Sequence, residues 1–363
     1  MALQYKFFLV PYVSPLNSSY QFLSIALAEG FNELGIAYGA NIDYWWQTDK
    51  NSFLFGKTDQ VGDVNIYESR FFEGNDAALK QVDYSKINIL IDHNDRLFTP
   101  ALEDKYIKFN LILRTHYNPK MHYRVNVKPW AFGLTQTMID SINSTINQPI
   151  KPRVMISYRK LHDIRKLSNE RLVPLLAKQY EIFNFESQQP SDSITNDPLS
   201  LWSQTGRRYD PDYFVELNSS LLNLSFGGTP IIPPLPLNKP SRVLGKAKRE
   251  LLKLVYGSNI PAKHYTLIQY DSWRLWESFA SNTCPVFSDC SQFGITLPVK
   301  PEPGIHYIAV DGFNFEAAAL QIKQLGDEKL KQIAQQGRQW ALQHYSPKAV
   351  SQRLVALVAE VKQ

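Results

Sequence analysis

Strand-like apolar runs alternate with helix-patterned stretches along this chain, and that alternation restricts the fold more than any other feature of the sequence. YKFFLV at 5–10 reads as a buried strand. From Tyr20 onward Phe22, Leu23, Ile25, Ala26, Leu27, Phe31 and Leu34 fall on helical spacing, with Ser18 or Ser19 to cap the start and Gly35 to end it. INILID at 87–92 and FNLILR at 109–114 are further strands, and a helix is expected from about Thr135. Strands that alternate with helices need crossover connections. The expected fold is therefore α/β, with two Rossmann-like, doubly wound parallel sheets facing a cleft.

Two units are expected because the pattern restarts. STINQPIKPR at 144–153 is polar and carries two prolines, which suits a boundary. RVMISY (153–158), EIFNF (181–185), LLNLSF (221–226), CPVFS (284–288) and HYIAV (306–310) read as strands. Helices are expected over 169–178, 211–220 and 271–281, with two or three more at the end, and a polar loop over 187–200. The division is an N-terminal, acceptor-side domain over 1–148 and a C-terminal, donor-side domain over 149–345. The last helix, 346–363, is expected to pack back on the first domain. One segment breaks the rhythm. TPIIPPLPLNKP (229–240) is dense in proline, and 241–256 is a basic amphipathic helix with Arg242, Lys246, Lys248, Arg249 and Lys253, so 229–265 reads as an insertion. That helix is either a solvated surface element or a patch for an anionic acceptor or an anionic membrane surface.

Composition narrows the class. At 363 residues the chain is long enough for two ordinary α/β domains. Its 44% hydrophobic and 20% charged residues describe a soluble globular protein. The net charge of +5 is mild and spread along the chain, which argues against nucleic acid as a partner. The only cysteines, Cys284 and Cys290, exclude a disulfide framework and a Cys-rich metal site, and a buried, reduced Cys284 suits a cytoplasmic protein. MALQYKFFLVPYV reads as a first strand rather than a signal peptide. No G-x-G-x-x-G follows that strand and no glycine precedes Gly30, which argues against a dinucleotide-binding domain.

The densest chemistry lies in DSWRLWESFASNTCPVFSD, 271–289, a helix start followed directly by a buried strand. Ligands of doubly wound sheets collect at the carboxyl ends of strands, where helices begin, so Asp271, Ser272, Arg274 and Glu277 would face the cleft. Glu277 could accept both hydroxyls of a ribose, and Arg274 could reach a phosphate.

This segment resembles the donor-binding element of GT-B-fold glycosyltransferases, in particular the exostosin-like and family 1-like group. YFVELNSSLLNLSFGG (213–228) is similar to that group's helix-Ser-strand-Gly element, and VMISYRK (154–160) to the first strand of its donor domain. VKPWAFGL (127–134) is the most suggestive piece of the first half. The resemblance implies a glycosyltransferase working from a nucleotide-sugar donor, UDP- or GDP-linked, with no cofactor and no metal. It assigns donor contacts to Arg159, Lys160, Ser220, Gly227, Gly228, Arg274 and Glu277. The acceptor would be a glycan, a lipid or a small molecule. Many retaining members carry two Glu separated by seven residues, but the residue eight before Glu277 is Gln269, which favours inversion.

Inversion needs a base, expected from the first domain. Asp92, His93 and Asp95 in IDHND and His116 in RTHYN follow strands and are the candidates. Asp92, His93 and Asp95 could alternatively ligate a metal, although neighbouring side chains on one short turn diverge. A sugar-nucleotide epimerase and a non-catalytic nucleotide-sugar-binding scaffold are the alternative functions.

Overall fold

The computed structural model describes residues 3–10, 22–47, 50–95, 99–158, 162–185, 211–233, 242–256 and 260–362. The first half holds β1 (Tyr5–Phe8), β2 (Tyr38–Ala40), β3 (Tyr44–Gln47), β4 (Ser52–Phe55), β5 (Val64–Glu68), β6 (Ile87–Asp92), β7 (Leu111–Arg114) and β8 (Val127–Pro129). Six of these form one sheet in the order β2-β1-β5-β6-β7-β8, every pair parallel. β3 and β4 pair separately as an antiparallel hairpin.

The second half holds β9 (Lys151–Ile156), β10 (Glu181–Asn184), β11 (Ser220–Leu224), β12 (Thr229–Ile231), β13 (Thr266–Ile268), β14 (Cys284–Ser288) and β15 (Ile308–Val310). A five-stranded parallel sheet runs β10-β9-β11-β14-β15. Its order reverses between β9 and β11. Chains leaving those two strands turn to opposite faces, which opens a crevice at their carboxyl ends. β12 and β13 form an antiparallel hairpin outside the sheet.

The alternation of elements thus builds two parallel sheets, as expected. Several elements depart from the sequence reading. β2, β5 and β8 were not expected as strands. β2 and β8 have three residues each, too few for a period to show, while VNIYE of β5 is wholly buried. The helix expected over 169–178 starts earlier, at Asp163–Leu167, passes through a π-helical turn at Ser168–Leu172 and ends at Val173–Leu176. The proline-dense stretch begins with a strand, since Pro230 lies on an edge where its missing N–H costs no ladder bond. Gly35 ends the first helix, Phe22–Leu34, in the left-handed conformation. Ser18, Ser19 and the loop 187–200 lie outside the described residues.

The chain then closes on itself. The long helix Phe315–Tyr345 is broken at Gly326, and the last helix, Pro347–Lys362, lies against Phe22–Leu34 of the first half. A Cβ at Gly30 would stand 2.1 Å from the Pro347 carbonyl, and Ser351 Oγ donates to the Leu27 carbonyl at 2.9 Å. Glycine at that crossing lets the two helices approach to backbone contact. Apolar packing also runs across both halves: Phe132 stacks on Trp273 with centroids 4.5 Å apart, and Phe22 meets Trp273 edge-on at 4.9 Å.

Candidate active site between the two sheets

The loops that leave β6 and β7 carry three of the four base candidates, and the structure gives each side chain a different task. Asp92, the last residue of β6, is wholly buried and pairs with Arg114 Nη1 at 3.2 Å. It also accepts the backbone N–H groups of Asn94 and Ala101. That carboxylate is committed to holding two strand exits together. His93 is buried, and burial, followed by Arg70, pushes its pKa down to about 4. A ring inside the loop core is not placed to meet a substrate.

Asp95 and His116 come together. His116 Nε2 lies 2.9 Å from Asp95 Oδ1, while His116 Nδ1 accepts the backbone N–H of Asp271 at 3.0 Å. An Nδ1 that accepts carries no proton, so the ring proton sits on Nε2 and points at Asp95. Both ring nitrogens are occupied, which leaves His116 to orient rather than abstract. The Asp95 side chain keeps 39% exposure. Burial raises its pKa, but the His116 hydrogen bond and the charges around it outweigh burial and hold it below the usual carboxylate range. His116 reaches this position through a left-handed backbone, φ 53°, an uncommon conformation for a residue with a side chain.

Across the gap stands His162, between β9 and the helix Asp163–Leu167. Its Nδ1 accepts the Gly228 backbone N–H at 2.8 Å, which leaves Nε2 as the protonated nitrogen. Burial and Arg165 push its pKa down to about 4, and Asp95 and His116 are both within electrostatic reach. Arg165 Nε donates to the Phe226 carbonyl at 2.6 Å. Together they clamp the exit of β11 to the exit of β9, at the crevice where the strand order reverses.

The second cluster lies at the same edge of the second sheet. Glu277, on the helix Trp273–Ala280, is 1% exposed, and its Oε2 accepts from Tyr213 Oη at 2.8 Å and from Arg274 Nη1 at 2.9 Å. The Arg274 guanidinium lies 4.0 Å over the Tyr213 ring, which packs edge-on against Phe185 at 5.2 Å. Ser157, just after β9, lies beside Tyr213. Burial costs the Arg274 charge, and Tyr213 and Glu277 more than offset that cost.

Other residues singled out in the sequence have different surroundings. Ser220 sits at the opposite, amino end of β11, where it accepts from Arg153 Nε at 2.9 Å and donates to the Glu216 carbonyl. Gly227 and Gly228 press against backbone: their Cβ atoms would stand 2.8 Å from the Tyr270 carbonyl and 2.7 Å from the Ile268 carbonyl. Gly228 also has φ +101°. Their smallness serves the packing of residues 268–270 against β11. Arg159 and Lys160 lie outside the described residues. Asp289 caps the short helix Cys290–Phe293. Among the described residues, no three His, Cys, Asp or Glu side chains are grouped to hold a metal ion. The IDHND side chains indeed diverge, Asp92 to Arg114 and Asp95 to His116.

Tyr213 and His162 were not singled out in the sequence. Tyr213 and His162 are single polar residues beside strand exits, and nothing local distinguishes them. Asp271 looked like a ligand group but joins the halves: its carboxylate accepts from the Phe132 N–H at 2.8 Å and from Trp276 Nε1 at 2.6 Å, and burial pushes its pKa up to about 6.

No protein-family model matches the chain, and no curated protein matches it significantly. Solved structures do. A glycosyltransferase from Rickettsia africae ESF-5 superposes with a TM-score of 0.55 at 12% identity, over 100% of this chain and 99% of that one. Anabaena HepE in complex with UDP-glucose superposes with a TM-score of 0.50 at 10% identity, over 99% and 100%. With two parallel Rossmann-like sheets meeting at their carboxyl edges, the chain has the GT-B fold that these structural neighbours share.

Proposed function

We propose that this protein is a glycosyltransferase that moves a sugar from a nucleotide-sugar donor to an acceptor hydroxyl by inversion, without a metal. The reading rests on the fold and on one observation: an ionised, partly exposed carboxylate, Asp95, is oriented by a neutral histidine at the edge of the first sheet, within electrostatic reach of His162 at the edge of the second. Asp95 is the base that takes the proton of the acceptor hydroxyl, and His116 is its positioning residue. Glu277 receives the ribose hydroxyls of the donor. Arg274, with Arg159 and Lys160 as further cations, offsets the charge that develops on the departing diphosphate.

The two sheets also support a division into an acceptor-side and a donor-side domain, with the chain crossing near 148. UDP is the first nucleotide to test, because the HepE structure was solved with UDP-glucose. The protein is incubated with UDP-, GDP- and dTDP-sugars, and thermal stabilisation, donor hydrolysis and sugar identity are followed. The expected result is stabilisation by one nucleotide class with slow release of nucleoside diphosphate. Interconversion of sugars without release would instead identify an epimerase. Stabilisation without any turnover, with or without acceptors, would identify a binding protein.

A further inference from the structure

The helix Arg242–Tyr256 is left unused by the proposed chemistry. It is inserted in sequence between β12 and β13, the hairpin that follows Gly228 and leads into Asp271. Leu251, Leu254 and Val255, at spacings of three and four, share one helical face, and they are 60%, 84% and 63% exposed. In an ordinary surface helix those positions would be turned to the core. The helix is held from another side: Lys248 Nζ donates to the Pro233 carbonyl at 3.0 Å, and the Tyr256 ring packs 5.2 Å from His264.

The helix is predominantly basic in sequence. The helix sequence has Arg242, Lys246, Lys248, Arg249 and Lys253 against a single carboxylate, Glu250, which pairs with Lys253 at 3.1 Å. Lys120 of the first half and Lys263 and His264 after the helix lie within electrostatic reach of Lys248 or of one another. Two copies meeting through this face would bring cations against cations. A phosphodiester chain would match the charge but leave the leucines in water. An anionic lipid surface satisfies both, because acyl chains take the apolar face while headgroup phosphates neutralise the cations.

We propose that residues 242–256 dock the protein on an anionic bilayer surface, with Leu251, Leu254 and Val255 inserted at the headgroup boundary. Among the described residues no helix is long and apolar enough to cross a membrane, so this contact lies on the bilayer rather than through it.

The test is vesicle flotation of the full chain. Vesicles of phosphatidylcholine alone are compared with vesicles containing about one third phosphatidylglycerol, at low salt and at about 0.5 M salt, where the Debye length is only a few ångströms. The protein is expected to float with the anionic vesicles at low salt and to be released by salt. Leu254→Glu is expected to abolish flotation while leaving the unfolding midpoint unchanged, since the side chain makes little contact with the fold. The pair Arg249→Gln and Lys253→Gln is expected to weaken binding by about tenfold or more, as a loss of ~1 kcal/mol per cation corresponds to about fivefold each. Three outcomes overturn the proposal: no flotation with anionic vesicles, equal flotation with neutral ones, or flotation unaffected by Leu254→Glu. Self-association lost on Leu254→Glu, with no flotation, would assign the face to a second copy. None of these readouts depends on glycosyl transfer.

Discussion

Asp95 and Glu277 are both carboxylates beside a polar ring, yet their surroundings prepare them for different work. Asp95 accepts from His116 and keeps solvent contact, so it can take a proton from a bound hydroxyl. Replacing it with asparagine removes the basic site while preserving its shape. Asp95→Asn is expected to lower kcat by 10²–10⁴-fold with little change in donor affinity, measured as turnover against thermal stabilisation by the donor nucleotide. Because its pKa is held below the usual carboxylate range, Asp95 stays ionised as pH falls until that depressed value is reached. The rate is therefore expected to show no loss attributable to this group between pH 8 and 5. Glu277 is buried between a phenol and a guanidinium. Glu277→Ala is expected to remove most of the stabilisation that the donor nucleotide gives; an undiminished shift would exclude the ribose contact. Residue identity identified Glu277 and Asp95 as candidates. It did not separate Asp95 from Asp92 and His93, because only the folded loop shows that Asp92 is spent on Arg114.

Among the elements, helix crossings are the clearest places where one residue type is required. Gly30 meets the carbonyl of Pro347 with no room for a methyl group. Gly30→Ala is expected to push the last helix off the first and to destabilise the protein by about 1–3 kcal/mol, the usual cost of overpacking, read as a lower midpoint in denaturant. Glu29, one residue earlier, is buried and accepts the backbone N–H of Gln136 at the start of the helix Gln136–Asn143. Burial pushes its pKa up to about 8 from an ordinary 4.5. A folded pKa above the unfolded one means that this group's contribution to stability is fully present below about pH 4.5. It is lost as pH rises through about 8. Glu29→Gln keeps the hydrogen-bond acceptor without the charge. Its melting temperature relative to wild type is expected to rise steadily between those two pH values. A difference that stays flat with pH would show that Glu29 does not titrate in this range. The long helices were legible from spacing, whereas β2, β8 and the two hairpins were not; β1 and β7, with four residues each, stood out because they lie in longer apolar runs, YKFFLV and FNLILR.

At the scale of the whole molecule, the two sheets are joined by side chains that reach backbone on the opposite side. Lys120 Nζ donates to the carbonyls of Lys263, Tyr265 and Gln292, and Asn118 Nδ2 donates to that of Phe293. Tyr270 Oη donates to the Tyr117 carbonyl, and the Asp271 carboxylate holds the Phe132 N–H. These four first-half residues fall within 117–132, and the His116–Asp271 hydrogen bond, the Phe22–Trp273 ring contact and the Ser351–Leu27 hydrogen bond add to them. Lys120→Met leaves three carbonyls without their donor. It is expected to cost about 1–3 kcal/mol and to speed hydrogen exchange at residues 263–271 and 292–296 before the sheet cores are affected. Exchange that accelerates uniformly would show that this fastening does not act locally.

The sequence by itself determined the class of fold, because burying apolar strand runs between helices leaves a parallel sheet as the available solution, and a restart of the pattern implies a second one. It also placed candidate polar groups at strand exits, since topology puts those exits at a sheet's ligand-facing edge. Tertiary structure decided the partner and the exposure of each. Asp92 and Asp95 are three positions apart, yet one is wholly buried against Arg114 and the other is bonded to His116 and keeps 39% exposure. Tyr213 and His162 join the site only because segments distant in sequence meet there. Hydrogen-bond partners and burial depend on contacts between residues tens to hundreds of positions apart, and no local pattern encodes them.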